Sequence, residues 1–151
     1  MNIVFNVAKG RLAYYHDSAR TQPNAGLVVV ALRAAGLASD EALMDRASLG
    51  DILSISPEVT NPGYSRKILS GSAVPLSTID NANDRVAVDL PDLLWTAVQA
   101  GDAWAKLLVC FDADTTTGTD FDIVPLTAHD ISFTPDGSNI LVVISDYARM
   151  T

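Results

Sequence analysis

The chain has 151 residues, 48% of them hydrophobic and 19% charged, enough apolar material for one packed core and too much for a disordered tail. Its net charge of −8 rests on 16 aspartates and two glutamates against ten lysines and arginines, which counts against general nucleic-acid binding because an acidic surface repels phosphate. Glutamate and lysine furnish exposed helix faces whereas aspartate favours turns and caps, so the composition points away from a helical bundle and towards a strand-rich, turn-rich domain.

In chain order, Ile3, Phe5 and Val7 alternate as a strand would, and Asn6 stands where it can cap a helix running through Leu12 and Tyr15. The reading is a short extended start followed by a helical or irregular stretch to about Ser18, then a turn over residues 19–26. Leu27–Leu32 is β-branched and apolar on both faces, which predicts a central strand. Ser39 before Asp40-Glu41 and Ser48 before Leu49 and Ile52 signal two short helices, a helical insert near residues 39–55. Pro57, Thr60, Asn61, Pro62 and Gly63 read as a loop, and Tyr64–Leu69 as a strand whose Arg66-Lys67 pair makes a local basic spot.

From Asp84 onward the pattern is β: Arg85–Asp89, Leu93–Val98, Trp104–Phe111 and Phe121–Leu126 are predicted strands. Ile131 and Phe133 lead into Pro135-Asp136-Gly137-Ser138, a turn signal that predicts a hairpin closed by Ile140–Ile144. The expectation is a single, mainly β domain over residues 1–151, an antiparallel β-sandwich or barrel with the helical insert packed on its side. Residues 1–75 carry a net charge of +1 and residues 76–151 a net of −9. The acidic half reads either as a sheet with solvated turns or as the solvent-facing side of a protein docked through its other half.

Few residues form a chemical signature. Asp112, Asp114, Asp120 and Asp122 crowd a glycine- and threonine-rich loop and are the candidate calcium ligands. The glycine comes one place late for an EF-hand, however, and Ile123 takes the position of the bidentate glutamate. A solvated acidic turn is the plainer reading. His129-Asp130 lacks the further histidines a metal hydrolase needs, and Leu69-Ser70-Gly71-Ser72-Ala73 lacks the first glycine of a nucleophile elbow. No phosphate-binding glycine spacing occurs, so no cofactor is expected, and an enzyme is not expected either. Cys110 reads as a small core residue, and Trp95 and Trp104 as sheet-core aromatics. No secretory signal is read at the start, and Leu27–Leu32 is too short to span a bilayer, so neither membrane nor nucleic acid is expected as a partner.

Several strings also carry a resemblance. Ile3-Val4-Phe5-Asn6-Val7-Ala8-Lys9-Gly10-Arg11 with Tyr14-Tyr15, Asp84–Asp89 with Trp95-Thr96-Ala97, Lys106–Asp112, and Val124–Asp130 running into Thr134–Ser138 together resemble a small family of tailed-bacteriophage virion structural proteins. The resemblance weakens between residues 55 and 82, and the acidic loop departs from it in being rich in threonine. It implies a non-catalytic capsid- or tail-associated protein located in the virion. Its expected partners are the major capsid protein or other virion proteins, in a homo-oligomer or in many copies by symmetry. The expected function is capsid decoration or cement, with a tail, fibre, baseplate or adaptor component or a receptor-binding module as the alternative. Residues 1–18 are the expected docking arm, with Ile3, Phe5, Val7, Lys9 and Arg11 as contacts, because the segment is near neutral, apolar and carries basic groups close to an end.

Overall fold

The computed structural model describes residues 1–150. The fold is mainly β and antiparallel throughout, a sandwich-like α+β arrangement built on one five-stranded sheet. Its strands are β1 (Ile3–Val4), β2 (Gly26–Arg33), β3 (Lys67–Leu69), β7 (Trp104–Asp112) and β8 (Val124–Phe133), in the order β1-β8-β7-β2-β3. Two smaller sheets complete the β structure. One contains β4 (Thr78–Asp80), β5 (Arg85–Val88) and β10 (Ala148–Met150), with β5 in the middle; the other pairs β6 (Leu93–Trp95) with β9 (Ile140–Val142).

The period-two alternation of β2 and β7 divides the core into two layers. Leu27, Val29 and Ala31 of β2 join Leu107, Val109 and Phe111 of β7 on one face. Val28, Val30 and Leu32 join Leu108 and Cys110 on the other. This is why the run Leu27–Leu32 is apolar at every position: the strand is covered on both sides.

The first layer is closed by α1 (Leu12–Thr21) and by the small sheets, which contribute Val88, Leu93 and Trp95. The second is closed by α2 (Asp40–Met44) and α3 (Leu49–Leu53) through Leu43, Leu49 and Ile52. Both helices start where serine was expected to cap them. Ser39 Oγ accepts from the Ala42 amide at 3.3 Å and Ser48 Oγ from the Asp51 amide at 3.1 Å.

Five expectations are corrected. Phe121–Leu126 and Ile131–Phe133 are not two strands: a single strand begins at Val124 and runs to Phe133. The turn at Pro135–Ser138 is present, yet it does not make a hairpin of its flanks, because β9 pairs with β6 (Leu94↔Leu141) and not with β8. The strand expected over Tyr64–Leu69 is confined to Lys67–Leu69, and α1 extends to Thr21 into the expected turn.

The fifth correction concerns the expected docking arm at residues 1–18. Ile3 pairs with Ala128 and Val4 with Thr127, and the Phe5 amide donates to the Leu126 carbonyl at 3.0 Å. Asn6 does not cap a helix but opens a 3-10 turn (Asn6–Ala8), and α1 lies across the first core layer. The segment is part of the domain, not an appendage to it.

Candidate functional site

The expected contact residues separate by burial. Ile3 and Phe5 lie inside the second core layer beside Val28, Val30 and Leu108, with Phe5 fully buried. They are interior packing, so the surface role expected for them is corrected. Val7 is half-buried against the same layer. Lys9 and Arg11 are exposed, and the Lys9 ammonium donates to Asn6 Oδ1 at 2.7 Å.

The four aspartates of the acidic loop do not converge. Asp112 Oδ1 accepts from the Asp114 amide at 3.0 Å, and Asp114 Oδ1 from the Thr116 amide at 3.0 Å. Asp122 Oδ2 takes the Thr119 amide at 2.8 Å. Asp120 turns inward to Arg66. Each carboxylate holds a local turn or a guanidinium, the usual use of aspartate in loops. Among the described residues no group of three or more His, Cys, Asp or Glu is placed to hold a metal ion. The calcium candidate is corrected on this geometry.

The expected basic spot at Arg66-Lys67 also faces inward. Arg66 forks between two carboxylates, 2.7 Å from Glu58 Oε2 and 2.6 Å from Asp120 Oδ1. The guanidinium holds the Asp120 carboxyl below its usual range. Tyr64 donates to Glu58 Oε1 at 2.8 Å and accepts the Ala31 amide at 3.0 Å, which ties the cluster to β2. Lys67 lies 5.1 Å over the Trp95 ring. Sequence reading missed this cluster because Asp120 is 54 residues from Arg66 along the chain, and Glu58 reaches it only across the loop that holds Pro62 and Gly63.

A second ionic cluster was equally hidden. Lys106, 3% exposed, reaches Asp40 Oδ1 at 2.7 Å and also contacts Asp130. Burial works against its charge, but the bonds to Asp130 and Asp40 outweigh that and raise its pKa. The pair joins α2 to the central sheet.

The remaining reactive side chains are engaged within the fold. His16 is fully buried. Its Nε2 lies 2.8 Å from the Pro75 carbonyl, which only accepts, so Nε2 carries a proton, and Nδ1 lies 2.8 Å from the Tyr147 hydroxyl. His129 Nε2 is 3.0 Å from Thr127 Oγ1, and burial lowers its pKa. Cys110 is buried and its thiol pKa is pushed up by desolvation. The two tryptophans are core aromatics as expected: Trp95 Nε1 donates to the Ser65 carbonyl at 2.7 Å and Trp104 Nε1 to Asn61 Oδ1 at 3.1 Å.

Large apolar side chains are exposed at several places, among them Ile79, Leu76 and Phe121, and the β6–β9 ribbon carries a group of them. Its inner side chains, Leu93, Trp95, Ile140 and Val142, pack into the first core layer. Its outer face carries Leu94 at 47% and Leu141 at 60% exposure, paired across the ribbon, with Val143 at 61% just beyond. A two-stranded ribbon with one wet face normally alternates apolar-in and polar-out; here both faces are apolar. Alongside, two adjoining depressions of about 530 and 540 Å³ run between the end of β8 and the β9 segment, sharing Ile131, Val142 and Val143. Comparison with family models, curated proteins and solved structures finds no match to this chain.

Proposed function

We propose that this chain is a structural protein of a tailed-bacteriophage virion, and within that class a capsid decoration protein that binds across neighbouring major capsid protein subunits. Two things support the reading: the strings that resemble such proteins, spread over most of the chain, and the outward apolar face of the β6–β9 ribbon. The single observation that carries it is the exposed set Leu94, Leu141 and Val143. An apolar set on a short open ribbon gains free energy when a partner covers it, at roughly 25 cal/mol per Å² removed from water.

The proposed action is binding, not catalysis. A protein that binds the assembled lattice and not its dissociated form stabilises the lattice by mass action, and repetition by symmetry turns modest contacts into firm attachment. With Ile3 and Phe5 buried, the docking face moves from the N-terminal segment to the ribbon. Of the contacts first expected there, Lys9 and Arg11 remain exposed.

Quantitative mass spectrometry of purified particles tests the proposal. Hundreds of copies per virion are expected for a decoration protein. Three, six or twelve copies would replace that role with a tail, fibre, baseplate or adaptor one, and absence from the particle would overturn the virion reading altogether.

A further inference from the structure

The chain has two histidines, and both face one segment, residues 143–150. After leaving the β6–β9 ribbon, that segment packs Ile144, Tyr147, Ala148 and Met150 onto the first core layer. It ends in β10, three residues long and paired with β5 alone among the described residues. Beyond this short ladder its ties to the rest of the domain are few. The Asp146 amide donates to Asp89 Oδ1 at 3.2 Å, and the Tyr147 hydroxyl meets His16. A strap held by so few bonds opens at lower cost than the central sheet.

His16 is fully buried on α1, with its ring 5.7 Å from that of Tyr147. Because Nε2 donates to the Pro75 carbonyl, Nδ1 of the neutral ring is an acceptor for the Tyr147 hydroxyl. A proton added at Nδ1 turns it into a donor, and the buried hydroxyl loses its acceptor. Among the described residues no carboxylate bonds to this ring. Its charged neighbours on α1 are Asp17, which is exposed, and Arg20, one turn on and bonded to the Val74 carbonyl. From the strap come Asp146 and Arg149, which flank Tyr147 and pair with each other. A cation at His16 is therefore buried without a partner, close to another cation.

His129 lines the groove between β8 and the strap, across from Ile144, Asp146 and Tyr147. The carboxylates around it are already committed: Asp130 to Lys106 and the Met1 amino group, Asp146 to Arg149. Burial, with Lys106, disfavours the charged form of this ring as well.

We infer that residues 143–150 form a strap that acid releases. Lifting it brings both rings into water, where a histidine takes up a proton near pH 6.5. The open form then binds more protons than the closed one, so the closed form is favoured above that pH and loses ground below it. As the strap lifts, β10 leaves β5 and the apolar surface of the first core layer beneath Ile144 and Tyr147 is uncovered, while the central sheet stays folded.

Amide hydrogen exchange of the full chain at pH 7.5 and pH 5.5, corrected for the intrinsic effect of pH on exchange, tests this. A histidine that charges only in the open form raises the open population about tenfold over that interval. Protection at residues 146–150 should therefore fall by about tenfold to a hundredfold, while residues 27–32 and 107–111 keep theirs. His129→Gln should make the fall about tenfold smaller. His16→Gln, which keeps a donor for the Pro75 carbonyl, should remove the remaining part; if that variant does not fold, the parent and His129→Gln still decide. Strap protection that does not change with pH, a loss shared equally by the central strands, or a full loss in His129→Gln would overturn the acid-released strap.

Discussion

Replacing Phe5 with alanine distinguishes a detachable N-terminal arm from a segment built into the core. The ring is fully buried, packed in the layer that holds Val28, Val30, Leu43 and Leu108, and its amide is bonded to Leu126. Truncating a buried phenylalanine removes its transfer free energy and leaves a cavity, at a cost of about 3–5 kcal/mol. For a domain of this size each kcal/mol lowers Tm by about 2–4 °C, so Phe5→Ala should lower Tm by roughly 6–20 °C. A Lys9→Ala variant in the same segment, exposed and bonded only to Asn6 and weakly to the Met44 sulfur, should stay within about 0.5 kcal/mol of the parent. Urea titration followed by near-ultraviolet circular dichroism measures both. A Phe5→Ala protein with the parent's midpoint would mean that the segment does not contribute to the core, and the burial argument would fail.

Arg66→Met leaves the Glu58 and Asp120 carboxylates without their shared cation. Because all three side chains keep some solvent contact (28%, 21% and 35% exposed), the loss should be about 1–3 kcal/mol, between surface and fully buried pairs. An unchanged urea midpoint would dismiss the cluster as decoration. Burial, aided by Lys106, holds the pKa of His129 below its ordinary 6.5. The neutral ring's contribution is therefore complete above pH 6.5 and lost as pH falls towards the lowered value. His129→Gln should remove that part of the decline, whereas the carboxylates depressed by Lys106 and Arg66 act only below their ordinary 3.8. A decline in the variant matching the parent's would assign the slope elsewhere. Millimolar calcium should leave Tm unchanged, since the loop aspartates are engaged singly. A calcium-dependent rise abolished by Asp112→Ala would restore the ion site.

Legibility in the sequence tracked how local the determining physics is. The runs that became β2 and β7 were readable because burial on both faces leaves a continuous apolar string. The two short helices were readable because a serine side chain caps an amide only three residues away. Pro135–Ser138 shows where this ends. Its residues encode a reversal, but the partner of the following strand is chosen by distant contacts. The Gly137 amide donates to the Val98 carbonyl at 2.8 Å and the Ala97 amide to Asn139 Oδ1 at 3.0 Å, drawing β9 onto β6. Strands β4 and β10, three residues each, are too short for alternation to register.

The candidate surface was misread for a related reason. The alternation of Ile3 and Phe5 was visible, but apolar residues near a chain end suit an arm and an edge strand equally well, and only the pairing with β8 separates the two. Aspartate counts located the acidic half correctly without showing how its charge is used. Asp120 and Asp130 neutralise Arg66 and Lys106, whereas Asp114, Asp122 and Asp136 hold turns at the surface.

A cryo-electron-microscopy map of the intact particle tests the central claim most directly. The account predicts the domain seated on the head lattice, with Leu94, Leu141 and Val143 against coat protein and the turn at residues 112–122 facing solvent. A map with the domain absent from the head, or with that ribbon in solvent and the acidic turn packed on coat protein, would contradict it.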